Sequence, residues 1–127
     1  MPNSATKPVI WIGSSRKDIQ SFPDDVKDEI GHALREAQYG QKPYSAKPLR
    51  GYGGATVLEI VEDFQTDTYR AVYTVRFEGV VYVLHAFRKK SKRGRATPQA
   101  DLDLIKQRLL HAQADDQERT RDQRKEG

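Results

Sequence analysis

The chain has 127 residues, enough for one domain with a single modest core, and its 36% hydrophobic and 31% charged content puts a heavily charged surface around that core. The absence of cysteine excludes a disulfide framework, a zinc–thiolate site and a thiol nucleophile, and fits a cytoplasmic setting. The formal charge of +4 is modest, apolar runs such as 80–84 are far too short to cross a bilayer, and residues 1–8 lack the charged-then-apolar layout of a secretory signal.

In chain order, Val9 to Ile12 is a short apolar run closed by Gly13, a first strand. Ser14 and Ser15 offer caps for a short helix ending near Phe22-Pro23, with Asp18 in its first turn. From Asp24 to Gln38, Val26, Ile30, Ala33, Leu34 and Ala37 fall on one helical stripe, and Gly40 is placed to close it. Residues 40–55, rich in Gly, Pro and Lys, read as a loop with room for a short irregular strand.

Three strands follow, over Thr56–Phe64, Tyr69–Phe77 and Val80–Phe87. The acid–Gly pair Glu78-Gly79 marks a hairpin that brings Tyr69 and Arg70 opposite 86–88. Thr97-Pro98 opens a last helix whose stripe is Leu102, Ile105, Leu109 and Ala112. The pattern predicts an α+β domain over 1–114: an N-terminal strand and two helices, a three-stranded antiparallel meander, and a C-terminal helix, with the helices on one sheet face. Residues 115–127 offer nothing to bury and read as a charged tail, a frayed helix or disorder.

Charge is unevenly spread along the chain. No acidic residue lies between Glu78 and Asp101, where Arg88, Lys89, Lys90, Lys92, Arg93 and Arg95 crowd into eight positions. A second acid-free stretch, from Glu36 to Glu59, carries Lys42, Lys47 and Arg50. Such segregation is either a solvated charged loop or the footprint of a polyanion. Strand alternation places Arg70 on the face opposite Tyr69, Ala71 and Tyr73, near the strand end where His85, Phe87, Lys89 and Lys90 emerge.

Cations with an aromatic suit single-stranded RNA, its phosphates held by Lys and Arg and its bases stacked on Phe87 or Tyr52. They also suit metal-free cleavage, in which a 2′-hydroxyl attacks the adjacent phosphate and cations stabilise the crowded charge. No acidic cluster accompanies the basic face, which disfavours a two-metal nuclease. Each candidate has a structural reading as well. Arg70 could be a salt-bridged scaffold residue, paired with Glu59 or Asp63, and His85 a hydrogen-bonded core histidine. Lys89 and Lys90 could merely solubilise the strand's exit.

The stretches Lys47-Pro48-Leu49-Arg50-Gly51, Val57-Leu58-Glu59-Ile60, Tyr69-Arg70-Ala71-Val72-Tyr73 and Tyr82 to Lys92, in that order and spacing, resemble the HigB-like branch of the RelE/ParE toxin superfamily, phage-derived members included. The resemblance covers roughly residues 9–110. It implies a RelE-like fold and ribosome-dependent mRNA cleavage without a cofactor or metal. The implied partners are the ribosome, mRNA and a cognate helix-turn-helix antitoxin.

By position, Arg70 matches the family's strand arginine at the scissile phosphate, Lys89 and Lys90 its basic pair, and Lys47 and Arg50 its loop cations. Arg70, Lys89 and Lys90, with His85 from the same strand end, are the catalytic candidates. Lys47, Arg50, Tyr52, Phe87, Arg88, Lys92, Arg93 and Arg95 are the RNA-binding ones, the last three as general attraction to ribosomal RNA. Many relatives carry Glu-Leu-Arg where this chain has Glu59-Ile60-Val61, and residues 91–97 hold no aromatic acid–base group. The same fold in ParE-like relatives inhibits DNA gyrase, and a non-toxic phage-derived nucleic-acid-binding protein is a third reading.

Overall fold

The computed structural model describes residues 6–52, 55–90 and 97–126. In chain order the elements are β1 (Val9–Trp11), α1 (Ser15–Gln20), α2 (Asp24–Gln38), β2 (Ala46–Pro48), β3 (Val57–Phe64), β4 (Asp67–Thr74), β5 (Val81–Lys89) and α3 (Gln99–Glu126). The strands form one five-stranded sheet in the order β1-β5-β4-β3-β2. β1 runs parallel to β5, and all other neighbours are antiparallel.

α2 has the bounds its apolar stripe predicts, with Val26, Ile30, Ala33, Leu34 and Ala37 all buried. Its end is a Schellman closure: Gly40 N donates to Ala37 O and Gln41 N to Glu36 O, each at 3.0 Å. Gly40 takes φ +81°, the left-handed conformation that this closure needs.

The helices do not share one face of the sheet, as the sequence pattern had implied. α1 and α2 cover one side, over Leu58, Ile60, Tyr69, Ala71, Tyr73, Val81 and Val83. α3 covers the other, setting Ile105, Leu109 and Ala112 against Val57, Val72, Val80, Tyr82 and Leu84. The reason lies in β5, whose two side-chain sets are both apolar; a strand of that kind needs cover on both faces.

β4 also stops short of the expected Phe77. The Thr74 hydroxyl donates to Thr56 O at 2.7 Å and accepts from Arg76 N at 3.1 Å, which turns the chain out of the ladder. Phe77 then crosses to the α3 side and meets the Tyr82 ring edge-on at 5.7 Å. Gly79, at φ +77°, completes the longer connection.

Within the β4–β5 ladder Val72 pairs with His85 but Tyr73 with Val83, so Leu84 is an extra residue in β5. This bulge reverses the strand's alternation. Val81 and Val83 face α2, whereas Leu84 faces α3 and His85 bonds to residues of that helix.

α3 runs from Gln99 to Glu126, past position 114, so of the frayed helix or disorder expected beyond that point the chain takes the helical form. The Tyr82 hydroxyl donates to Asp115 at 2.7 Å and ties that extension to the sheet. Among the described residues, no helix is long and apolar enough to cross a membrane.

Candidate nucleic-acid interface

Strand pairing sets Lys47, Glu59, Val72 and His85 in one row across β2, β3, β4 and β5, with Val61, Arg70 and Phe87 in a parallel row. The α3 axis starts only at Gln99, so the first turn of that helix, with Thr97 just before it, reaches this end of the sheet. Arg70 Nη1 lies 3.2 Å from both Glu59 Oε1 and Oε2. Thr97 Oγ1 donates to Glu59 Oε2 at 2.9 Å and accepts from Arg70 Nη1 at 3.4 Å. Arg70 and Glu59 are 4% and 3% exposed, so this is a desolvated pair, and such a pair is tolerable only because each charge meets the other. Arg70 Nε is buried without a partner among the described residues.

A second network supports His85. Its Nε2 is 2.7 Å from Asp101 Oδ1, and Arg108 Nη1 approaches its Nδ1 at 3.2 Å. A guanidinium only donates, so Nδ1 accepts and the ring proton sits on Nε2, directed at Asp101. Arg108 also donates to Leu84 O at 3.0 Å and to Ser14 Oγ at 3.1 Å. Phe87 stacks on the imidazole, centroids 5.2 Å apart and planes inclined by 20°. With both nitrogens engaged, His85 here joins β5 to α3.

Between β2, the chain after it and the start of α3 lies a cleft of about 480 Å³, lined by Lys47, Pro48, Leu49, Arg50, Glu59, Thr97 and Leu102. Lys47 and Arg50 are exposed and form its cationic rim, while the buried Glu59 carboxylate and the Thr97 hydroxyl lie at its floor. Pro48, Leu49 and Leu102 make the wall apolar. Such a cleft can hold an anion at the rim and a flat apolar group against the wall, with a buried carboxylate at its floor.

The structure thus brings Lys47 and Arg50 together at the cleft and puts Arg70 behind Glu59, out of solvent. Lys89, half-buried, ends β5 beyond Phe87, and Lys90, exposed, follows it. Arg88 points to the other face and pairs with Asp67 at 3.2 Å. The Tyr52 hydroxyl donates to Leu102 O at 3.0 Å, and the Tyr52 ring walls a neighbouring groove. Lys92, Arg93 and Arg95 lie outside the described residues. Sequence reasoning missed Thr97, Leu102 and Asp101 as parts of the site, and saw Glu59 only as a partner for Arg70. One signal was available: a helix opened by Thr97-Pro98 puts Thr97 and Asp101 one turn apart, both aimed at whatever the helix start abuts.

The model of one family, phage-derived protein Gp49-like (DUF891), matches residues 17–110, a span that takes in every residue of the cleft and of both networks except Ser14. No curated protein matches the chain.

Proposed function

The chain belongs to the Gp49-like family of phage-derived proteins, a family of RelE/HigB-like toxin type, and from that premise we propose that it is the toxin of a toxin–antitoxin pair that cleaves mRNA on the ribosome. The observation that carries this reading is the cleft itself, a cationic rim over a desolvated carboxylate with an apolar wall beside it. In the proposed reaction Lys47 and Arg50 hold the RNA backbone and a base lies against Leu49 and Leu102. Glu59 takes the proton of a 2′-hydroxyl, whose oxygen attacks the adjacent phosphorus. The bond to the 5′ oxygen breaks, leaving a 2′,3′-cyclic phosphate, and that oxygen departs with a proton from Lys89 or Lys90. The same cations offset the charge of the crowded intermediate.

In this scheme Arg70 and Thr97 are positioning residues that fix the Glu59 carboxylate, and His85 and Asp101 fix the start of α3. A cognate antitoxin is the partner expected of a toxin of this type, acting in the cytoplasm where ribosomes are. The test is induced expression with mapping of transcript ends. Breaks phased with codons, lost in Glu59→Gln while the fold persists, support the reading. Growth arrest with intact mRNA overturns it.

A further inference from the structure

A second groove, of about 450 Å³, runs along α3 from the first cleft, and the two share Arg50 and Leu102 in their walls. The two therefore lie side by side, with Arg50 and Leu102 between them. Beyond Arg50 the second groove adds the exposed side chains Arg76 and Lys106, and the half-buried Tyr52 ring. Arg76 Nε is 3.3 Å from Thr56 Oγ1, which orients its guanidinium along the groove's edge. The Tyr52 ring is fixed by its hydroxyl bond to Leu102 O, and burial followed by the nearby Asp103 charge raises its pKa, so it is a rigid neutral platform. Asp103, the one carboxylate among the described residues of the lining, accepts from the Gln99 amide at 2.9 Å.

We propose that single-stranded RNA held in the first cleft continues into this groove, its phosphates met by Arg50, Lys106 and Arg76 and a base stacked on Tyr52. The proposal rests on the RNA-cleavage reading of the first cleft and extends its footprint by several nucleotides along α3. Spaced cations with an aromatic platform are what a flexible single strand needs, since the backbone carries the charge and every base has a face to stack. An acidic protein segment is the competing occupant, because Leu110, 61% exposed, also borders the groove. The Arg50 shared with the cleft favours RNA.

The experiment measures anisotropy of labelled, 2′-O-methylated oligoribonucleotides of about four and about twelve nucleotides on the full chain, lengths that bracket a short and a full single-strand site. The longer strand should bind more tightly. Arg76→Glu combined with Lys106→Glu should weaken it tenfold or more, to the level of the short strand, and lower the salt slope by about one per lost phosphate contact. The short strand should be unaffected, as should both strands on a Lys17→Glu, Arg35→Glu control that changes charge equally on the α1 and α2 side. Equal affinity for both lengths in a chain that cuts mRNA overturns the extended track alone. Length dependence through Arg76 and Lys106 in a chain that leaves mRNA intact supports the track and overturns the cleavage reading. Unchanged RNA affinity in the double variant, with loss of affinity for an acidic leucine-containing peptide, makes the groove a protein-docking surface and overturns the proposal.

Discussion

Arg70 meets Glu59 through a single nitrogen, Nη1, which stands 3.2 Å from each carboxylate oxygen. Removing the arginine strands a carboxylate that is 3% exposed. Arg70→Ala should therefore lower stability by about 3–5 kcal/mol, the usual cost of breaking a buried pair from one side. Replacing both partners, as Arg70→Met with Glu59→Leu, should recover most of that loss, while the proposed mRNA cleavage should be abolished. Urea midpoints read the first effect and transcript-end mapping the second.

Gly13 is a second point of dependence. It takes φ +57°, and a Cβ there would sit 2.7 Å from Arg108 Nε, the same arginine that braces His85. Gly13→Ala should cost roughly 1–2 kcal/mol for the left-handed backbone alone, with the clash in addition. Adding Arg108→Ala removes the clash and leaves the backbone strain, so the double variant should lose less than the sum of the two single ones. Denaturant midpoints of all four chains complete the cycle.

How much of this was readable beforehand depended on whether the signal was local. The α2 stripe and its Gly40 closure are properties of a few adjacent side chains, and they appear where the sequence places them. The pairing of Arg70 with Phe87 follows from counting back from Glu78-Gly79, and it holds because the longer turn and the bulge in β5 leave the end of the ladder in register. The facing of β5 could not be read, since every candidate side chain from Val80 to Leu84 is apolar and the extra Leu84 reverses the alternation without any local mark. The cleft was invisible for the same reason. Its walls join β2 and β3 to a helix some 50 residues later in the chain, and that contact depends on which sheet face α3 covers.

The tyrosines make stability sensitive to alkali. Burial, with the Glu36 charge adding to it, pushes the Tyr73 phenol up from 10.0 to about 12. Tyr82 is raised too, by burial and then by its hydrogen bond to Asp115. The folded chain holds these protons more tightly than the unfolded one, so their contribution is intact below pH 10 and is lost as pH climbs through 12. Unfolding should coincide with the rise in phenolate absorbance in that window. Tyr73→Phe should shift the alkaline midpoint upward.

The tie between Tyr82 and Asp115 also predicts where α3 is secure. Asp115→Ala should cost about 1 kcal/mol at most, since water replaces the lost acceptor on the half-exposed side. Its clearer effect should be faster amide exchange in α3 after Ala112, with Ile105 and Leu109 as protected as before. Hydrogen exchange by mass spectrometry distinguishes the two segments.

α3 follows every strand of the sheet in chain order, and it supplies one wall of the cleft and of the groove beside it. A nascent chain that has completed β5 already displays Lys47 and Arg50, yet it has no Leu102 or Lys106 in place and nothing over the Arg70–Glu59 pair. Completion of the cleft thereby waits on the last element of the chain, so all five strands have been translated before its walls can close.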